Sequence, residues 1–317
     1  MISLEDVERA ARTIAGRVHR TPLLGSQTLS NQLGASAYLK AELFQRTGSF
    51  KARGALNRMA ELSDEERARG VITISAGNHA QAVAWAARKA GADALVVMWR
   101  GADESKVAAT KGYGAAVDQR AGNPTDAFVR LDELLEETGR TLIHPFNDAA
   151  VIAGQGTVAL EILEDRAVPD VIVVPVGGGG LIGGIATAVR ARAPEARVIA
   201  VEPERSQALR AALDAGGSVP VRPESAADAL IAPFAGEACV EICRRLEVES
   251  VLVTEDDLGR AFRWLYSRTK MACELGAAAS TAALLSGKVE VEPRSTVVAV
   301  VSGGNIAAKQ AAAILAA

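Results

Sequence analysis

Residues 171–176 form an unbroken apolar run that ends in four consecutive glycines, Gly177, Gly178, Gly179 and Gly180, and no charge appears before Arg190. A membrane span would not carry Pro175 and four glycines at its centre, so the segment reads as strand, loop and helix. Consecutive glycines let successive backbone N–H groups turn toward one anion. The helix that follows adds about half a unit of positive charge at its start. A tight strand-to-helix turn needs only one or two glycines. The run therefore predicts a phosphate cradle formed by Gly177 to Gly180 and Leu181. No Gly-Lys-Ser/Thr follows, which excludes a Walker loop. The dinucleotide pattern matches only trivially, with Glu202 the nearest acidic residue after the next strand.

The same strand-then-helix grammar recurs. Short β-branched runs at Val71–Ile74, 94–98, 198–201 and Thr296–Val301 each give way to glycine or a polar turn and then to an alanine-rich helical stretch. That is parallel α/β architecture with sheets covered on both faces. One unit spans 63–148, with strands near 71 and 94 and helices at 79–90 and 124–138. A larger, discontinuous unit takes 1–62 and 149–317. Two open twisted sheets flanked by helices are expected, with the site in the cleft between them. The sequence shows no internal repeat, and it ends too soon after Asn305 to append a regulatory domain.

At 317 residues and 49% hydrophobic, the chain is long enough for this two-unit core. A net charge of −3 and the lack of basic runs argue against nucleic acid as a partner. The acidic start lacks a secretion signal, and the three cysteines, Cys239, Cys243 and Cys273, form no disulfide framework; a cytoplasmic setting is expected. Cys239 and Cys243, four apart on a helix, read as small buried hydrophobes rather than as a redox pair.

Three further motifs carry chemistry. Lys51 follows Phe50 and precedes small residues; a lysine beside apolar bulk and a phosphate has its amine pKa lowered and acts as a Schiff-base nucleophile. Arg53 reads as a structural ion-pair residue. Ser75-Ala76-Gly77-Asn78-His79 follows a strand and opens a helix, which suits a carboxylate, with Asn78 able to donate to a phenolate oxygen. His79 reads as a satisfied structural group rather than a general base. Ser302 ends the strand Thr296–Val301, where its neutral hydroxyl could meet a pyridine nitrogen without forcing its protonation. Lysine, phosphate cradle and hydroxyl together are three attachment points for pyridoxal 5'-phosphate.

These residues, with Gly154-Gln155-Gly156-Thr157 and Val201-Glu202-Pro203, stand in an order that resembles the fold-type II pyridoxal-phosphate enzymes, in the serine/threonine dehydratase and serine racemase branch. The resemblance covers nearly the whole chain. It implies that Lys51 bonds the cofactor aldehyde, Gly177 to Gly180 and Leu181 hold its phosphate, Asn78 its ring hydroxyl and Ser302 its ring nitrogen, with Phe50 on one ring face. Ser75, Asn78 and His79 would hold the substrate carboxylate, largely through backbone donors. A homodimer is implied as well.

Departures narrow the reading. Ala76 stands where the racemases carry a proton-delivering serine, and racemisation needs acid–base groups on both faces. Phe146 stands where the racemase pattern has asparagine, and makes an apolar wall compatible with a substrate methyl. The racemase divalent-metal site would use Glu202, but Ala208 replaces its aspartate partner, so a monovalent or divalent cation is unsupported. Asp228-Ala229 replaces the usual Asp-Gly and Glu274-Leu275 the usual Glu-Pro; both changes are expected to reshape the substrate pocket, in which Ala229 would stand with Phe146. The expected activity is a threonine or serine ammonia-lyase. A racemase or 3-hydroxyaspartate ammonia-lyase is the alternative within the family, and a non-covalent phosphate- or nucleotide-binding module the alternative outside it.

Overall fold

The computed structural model describes residues 2–165 and 168–317. Its strands are β1 (Leu23–Gly25), β2 (Ser36–Ala41), β3 (Val71–Ile74), β4 (Ala94–Trp99), β5 (Ala116–Ala121), β6 (Thr141–Leu142), β7 (Val171–Pro175), β8 (Arg197–Pro203), β9 (Glu249–Val253) and β10 (Thr296–Val301). They form two sheets, a six-stranded one in the order β1-β2-β10-β7-β8-β9 and a four-stranded one in the order β5-β4-β3-β6. All neighbours are parallel except β1, which runs antiparallel to β2. The four-stranded sheet uses only residues between 71 and 142, and the six-stranded sheet takes strands from both sides of that segment.

The apolar runs become strands buried on both faces. Along β7, Val171 and Val173 enter one core while Ile172 and Val174 enter the other, the period of two that a strand imposes. Helix bounds follow their caps. Asn123 accepts from the Asp126 N–H, Pro124 opens the helix and Gly139, at φ 60°, closes Pro124–Thr138. The helix expected at 79–90 begins one residue earlier, at Asn78. β4 and β8 run longer than expected and β7 stops at Pro175. The sequence reading passed over β1, β2, β5, β6 and β9.

The Gly154-Gln155-Gly156 motif explains how three helices meet. On Ala149–Asp165, a Cβ at Gly154 would lie 2.6 Å from the Gly54 Cα, and one at Gly156 would lie 2.8 Å from the Gly184 carbonyl. Glycine lets the helix touch both Lys51–Ala60 and Gly180–Arg192 backbone to backbone. The helix carrying the lysine is thereby held close to the helix that follows the glycine loop.

Beneath this contact lies a buried charge network. Arg53 donates to Glu42 Oε1 and Oε2 at 2.7 and 2.9 Å and to Glu161 Oε1 at 2.6 Å; Lys40 donates to Glu161 Oε2 at 2.7 Å. Arg53, Lys40 and Glu42 are wholly enclosed. Removing one partner strands the others in a low-dielectric interior. Arg53→Met should therefore lower unfolding stability by about 3–5 kcal/mol, read from denaturant midpoints at constant slope. A loss of under about 1 kcal/mol, the range of exposed pairs, would show the network to be dispensable.

Candidate active site

Lys51 opens its helix directly after Ser49 and Phe50. That turn is stitched to the end of β10 by the Ser49–Gly303 bridge and by the Phe50 N–H donating to the Ser302 carbonyl at 3.2 Å. The Lys51 amine donates to the Pro145 carbonyl at 2.7 Å and sits 5.2 Å from the centre of the Phe50 ring. Burial pulls its pKa down to about 8, against the opposing pull of Cys239 and Glu274. About a tenth is then unprotonated at neutral pH, far more than for an ordinary lysine, which suits a nucleophile.

The glycine loop lies against the same short segment. A Cβ at Gly178 would collide with the Phe146 ring, and one at Gly180 would stand 3.2 Å from the Phe146 Cα. Gly179 caps the helix Gly180–Arg192 at φ 96°, a left-handed conformation suited to glycine, and no side chain caps that helix. Its first N–H groups stay available to an anion. A side chain at Gly179 would also strike Cys239, whose thiol donates to the Phe146 carbonyl at 3.2 Å. Cys239 and Cys243 are buried and free on the helix Glu237–Arg245, and burial raises the Cys239 thiol to about 12. Phe146, Phe234, Phe128 and His144 stack edge-on or tilted into an aromatic wall beside the loop.

On the other side, the Ser75-Ala76-Gly77 turn leads into the helix Asn78–Ala90. The Ser75 hydroxyl accepts from the Gly77 N–H at 3.1 Å, and nothing lies within 4 Å of a Cβ at Gly77, so the turn faces open space. His79 faces inward: with a carbonyl as partner, its Nε2 must carry the proton it shares with Ile143 O at 3.1 Å. Burial and the nearby Lys51 hold its pKa well below the usual histidine range. His144 is likewise neutral, at about 4, chiefly through burial, and its Nδ1 accepts from the N–H groups of Phe146 and Asn147. Both rings are uncharged at neutral pH and are weak bases.

Asn78 donates through Nδ2 to Glu274 Oε1 at 2.6 Å and accepts at Oδ1 from Asn305 at 2.7 Å. Ser302 is buried at the end of β10. Lys51, Phe50, the glycine loop with Leu181, Asn78 and Ser302 are thus brought to one place. Ala229 sits at its rim, exposed, with its carbonyl 3.4 Å from a Cβ at Gly177. Glu202 sits apart: its carboxylate accepts from the Leu209 and Arg210 N–H groups and anchors the helix Ala208–Ala215, while burial raises its pKa to about 7. Among the described residues no group of three or more His, Cys, Asp or Glu side chains could hold a metal ion. Sequence reading set Glu274-Leu275 at the substrate pocket but missed the Glu274 contact with Asn78, the Pro145 carbonyl under the lysine, and Cys239 and Phe234 beside the loop.

The family model described as pyridoxal-phosphate dependent enzyme matches residues 14–303. The chain is 43% identical over 307 residues to L-threonine ammonia-lyase of Thermotoga maritima, covering 96% of this chain and 76% of that protein. Among solved structures, the threonine deaminase of T.th. superposes with a TM-score of 0.90 at 41% identity, covering 96% of this chain and 99% of that one. Serine racemase from Dictyostelium discoideum superposes at 0.91 with 34% identity over the same shares. With its lysine, glycine cradle and ring-facing residues gathered as described, the chain belongs to the pyridoxal-phosphate-dependent enzymes.

Proposed function

We propose that this enzyme is an ammonia-lyase that converts a β-hydroxy amino acid, L-threonine and/or L-serine, to a 2-keto acid and ammonia. The observation that carries the reading is the Lys51 amine, lowered to about 8 and held on the Pro145 carbonyl beside an uncapped glycine loop. Its likeness to proteins named threonine ammonia-lyase and threonine deaminase supports it.

The residues fit the cofactor. Ser49 Oγ, His79 Nδ1 and Glu274 Oε2 are buried polar atoms without a partner, clustered about Lys51, and the glycine loop presents free N–H groups. Gly177 to Gly180 and Leu181 would hold the phosphate, Ser302 the ring nitrogen, Asn78 the ring hydroxyl, and Phe50 one ring face. When bound, pyridoxal phosphate supplies the electron sink that makes the substrate Cα proton acidic. Lys51 would carry the cofactor, and its amine, when free, would take that proton. Backbone donors of the turn from Ser75 to His79 hold the substrate carboxylate. Phe146 and Ala229 flank its side chain, where an aromatic wall accepts a methyl and disfavours a second carboxylate. The β-hydroxyl leaves as water, a water is taken up again on hydrolysis of the enamine product, and ammonia is released. Ala76 supplies no second proton donor, which favours elimination over racemisation.

The same reading places 63–148 as a substrate-binding unit inserted in a cofactor-binding one, and the enzyme as a cytoplasmic homodimer. Among the described residues no helix is long and apolar enough to cross a membrane.

Holoenzyme given L-threonine should accumulate keto acid while its visible cofactor band shifts. Lys51→Ala should lower turnover by about 10³-fold or more. Accumulation of D-isomer without keto acid would move the assignment to a racemase, and steady turnover by Lys51→Ala would remove Lys51 from the chemistry. A pH series on apoenzyme tests the lysine separately. Only the neutral amine attacks an aldehyde, so the rate of cofactor capture should rise with pH and level near 8. A rate still climbing toward the ordinary lysine value of 10.5 would show an unperturbed amine.

A further inference from the structure

Glu274 is the one buried carboxylate at this site to which the proposed reaction gives no task. It is 2% exposed, and its N–H donates to the Gly303 carbonyl at 3.0 Å. Its side chain is wedged over that turn so closely that a Cβ at Gly303 would collide with Oε1. Oε1 accepts from Asn78, and Oε2 has no partner. A half-satisfied buried carboxylate is costly, so a fold does not keep one for stability.

The surrounding amides show what it does. Asn305 Nδ2 donates both its hydrogens, to the Thr47 carbonyl at 2.7 Å and to Asn78 Oδ1 at 2.7 Å. Asn78 must therefore present its oxygen to Asn305 and its Nδ2 to Glu274. Turned over, the Asn78 amide would set oxygen against carboxylate and NH₂ against NH₂. As oriented, one Nδ2 hydrogen goes to Glu274 and the other is left free. Glu274 and Asn78 are 196 residues apart, one on the large-sheet side and one opening a helix of the four-stranded sheet.

We infer that Glu274, with Asn305 as its counterpart, is a positioning residue that locks the Asn78 amide so that its free Nδ2 hydrogen serves the cofactor ring. The inference rests on the proposed contact between Asn78 and the ring hydroxyl. The charges facing Glu274 are Asp228 and, with opposite sign, Lys106 and Lys51; burial foremost, then Asp228, raises its pKa to about 7. A carboxyl raised above its unfolded value of 4.5 costs stability as pH climbs from 4.5 through 7. Apo Glu274→Gln should accordingly melt at or above wild type at pH 8, with the gap closing toward pH 5.

The deciding experiment is an absorbance titration of apoenzyme with pyridoxal phosphate, for wild type, Glu274→Ala, Glu274→Gln, Asn78→Ala and the Glu274→Ala/Asn78→Ala double variant. Glu274→Ala should weaken cofactor binding about tenfold, the loss of one oriented hydrogen bond to a charged group. Glu274→Gln, whose amide oxygen can accept the same bond, should bind within about twofold of wild type, since the neutral bond is retained. In the Asn78→Ala background Glu274→Ala should add nothing, because residues that act through one another are not additive. Equal losses in both backgrounds, or wild-type affinity in Glu274→Ala while Asn78→Ala is weakened, would overturn the role of Glu274 alone. Wild-type affinity in Asn78→Ala would overturn the cofactor contact and this inference with it. Apo Glu274→Gln melting below wild type at pH 8 would make the carboxylate structural and also overturn it.

Discussion

The buried pairing of Arg53 with Glu42 and Glu161 is the constraint on which the placement of Lys51 depends. Two positive and two negative side chains, Arg53, Lys40, Glu42 and Glu161, meet with nearly every donor and acceptor engaged, and the Thr21 carbonyl takes one further Lys40 proton at 2.8 Å. Such a cluster is tolerable in a low-dielectric interior only when its geometry is fixed. It fixes β2, the turn after it, the start of the lysine helix and the helix Ala149–Asp165 against one another. Lys51 lies two residues from Arg53, so the error in placing the amine is set by a rigid cluster and not by a loop. Glycine contacts at Gly54, Gly154 and Gly184 extend that rigidity to the helix behind the glycine loop.

Electrostatics at the cleft follow from the same enclosure. Burial lowers the Lys51 amine to about 8, keeps His79 and His144 neutral and raises Glu274 to about 7. Each of these four groups is displaced toward its uncharged form, as desolvation demands. Lys51 nevertheless stays the most basic of the cleft nitrogens, so the amine rather than either imidazole is the base in the proposed elimination. Perturbed groups gathered in one place also mark a functional site more firmly than any one of them alone.

What the sequence made legible was local. The strands Val71–Ile74 and Thr296–Val301 and the helix Pro124–Thr138 were visible because apolar runs, an Asn-Pro start and a closing glycine act within a few residues. β5 escaped because Asp118 and Arg120 break its apolar pattern, and β9 because an edge strand is only partly buried. β2 escaped through Lys40, which reads as solvated until Glu161, 121 residues away, is placed beside it. At the site, the lysine, glycine and Ser302 motifs were legible because each binding turn is contiguous. The Pro145 carbonyl and Cys239 act across long separations, and their neighbours in the chain carry no sign of it. The buried position of Glu274 depends on packing of the same long-range kind.

Polar and aromatic contacts join the two sides of the cleft near Lys51. Asn78 meets Glu274 and Asn305, Lys106 meets Asp228, and Phe128 leans on Phe234 at 6.4 Å. The first partner in each pair belongs to the four-stranded side and the second to the six-stranded side. Two of these links are polar and the third is a partly exposed ring pair, while behind them the lysine helix Lys51–Ala60 shares one buried apolar cluster, through Ala55, Leu56 and Met59, with Ala80, Val83 and Ala87 of the helix Asn78–Ala90. Relative movement of the sheets thus breaks hydrogen bonds and an ion pair that water can replace, and has to shear that apolar contact as well. Lys51 and the glycine loop lie on one side of that boundary, and the turn from Ser75 to His79, proposed to hold the substrate carboxylate, on the other. A substrate held by both sides adds its own contacts across the boundary, and any closure it induces is driven by that differential contact energy.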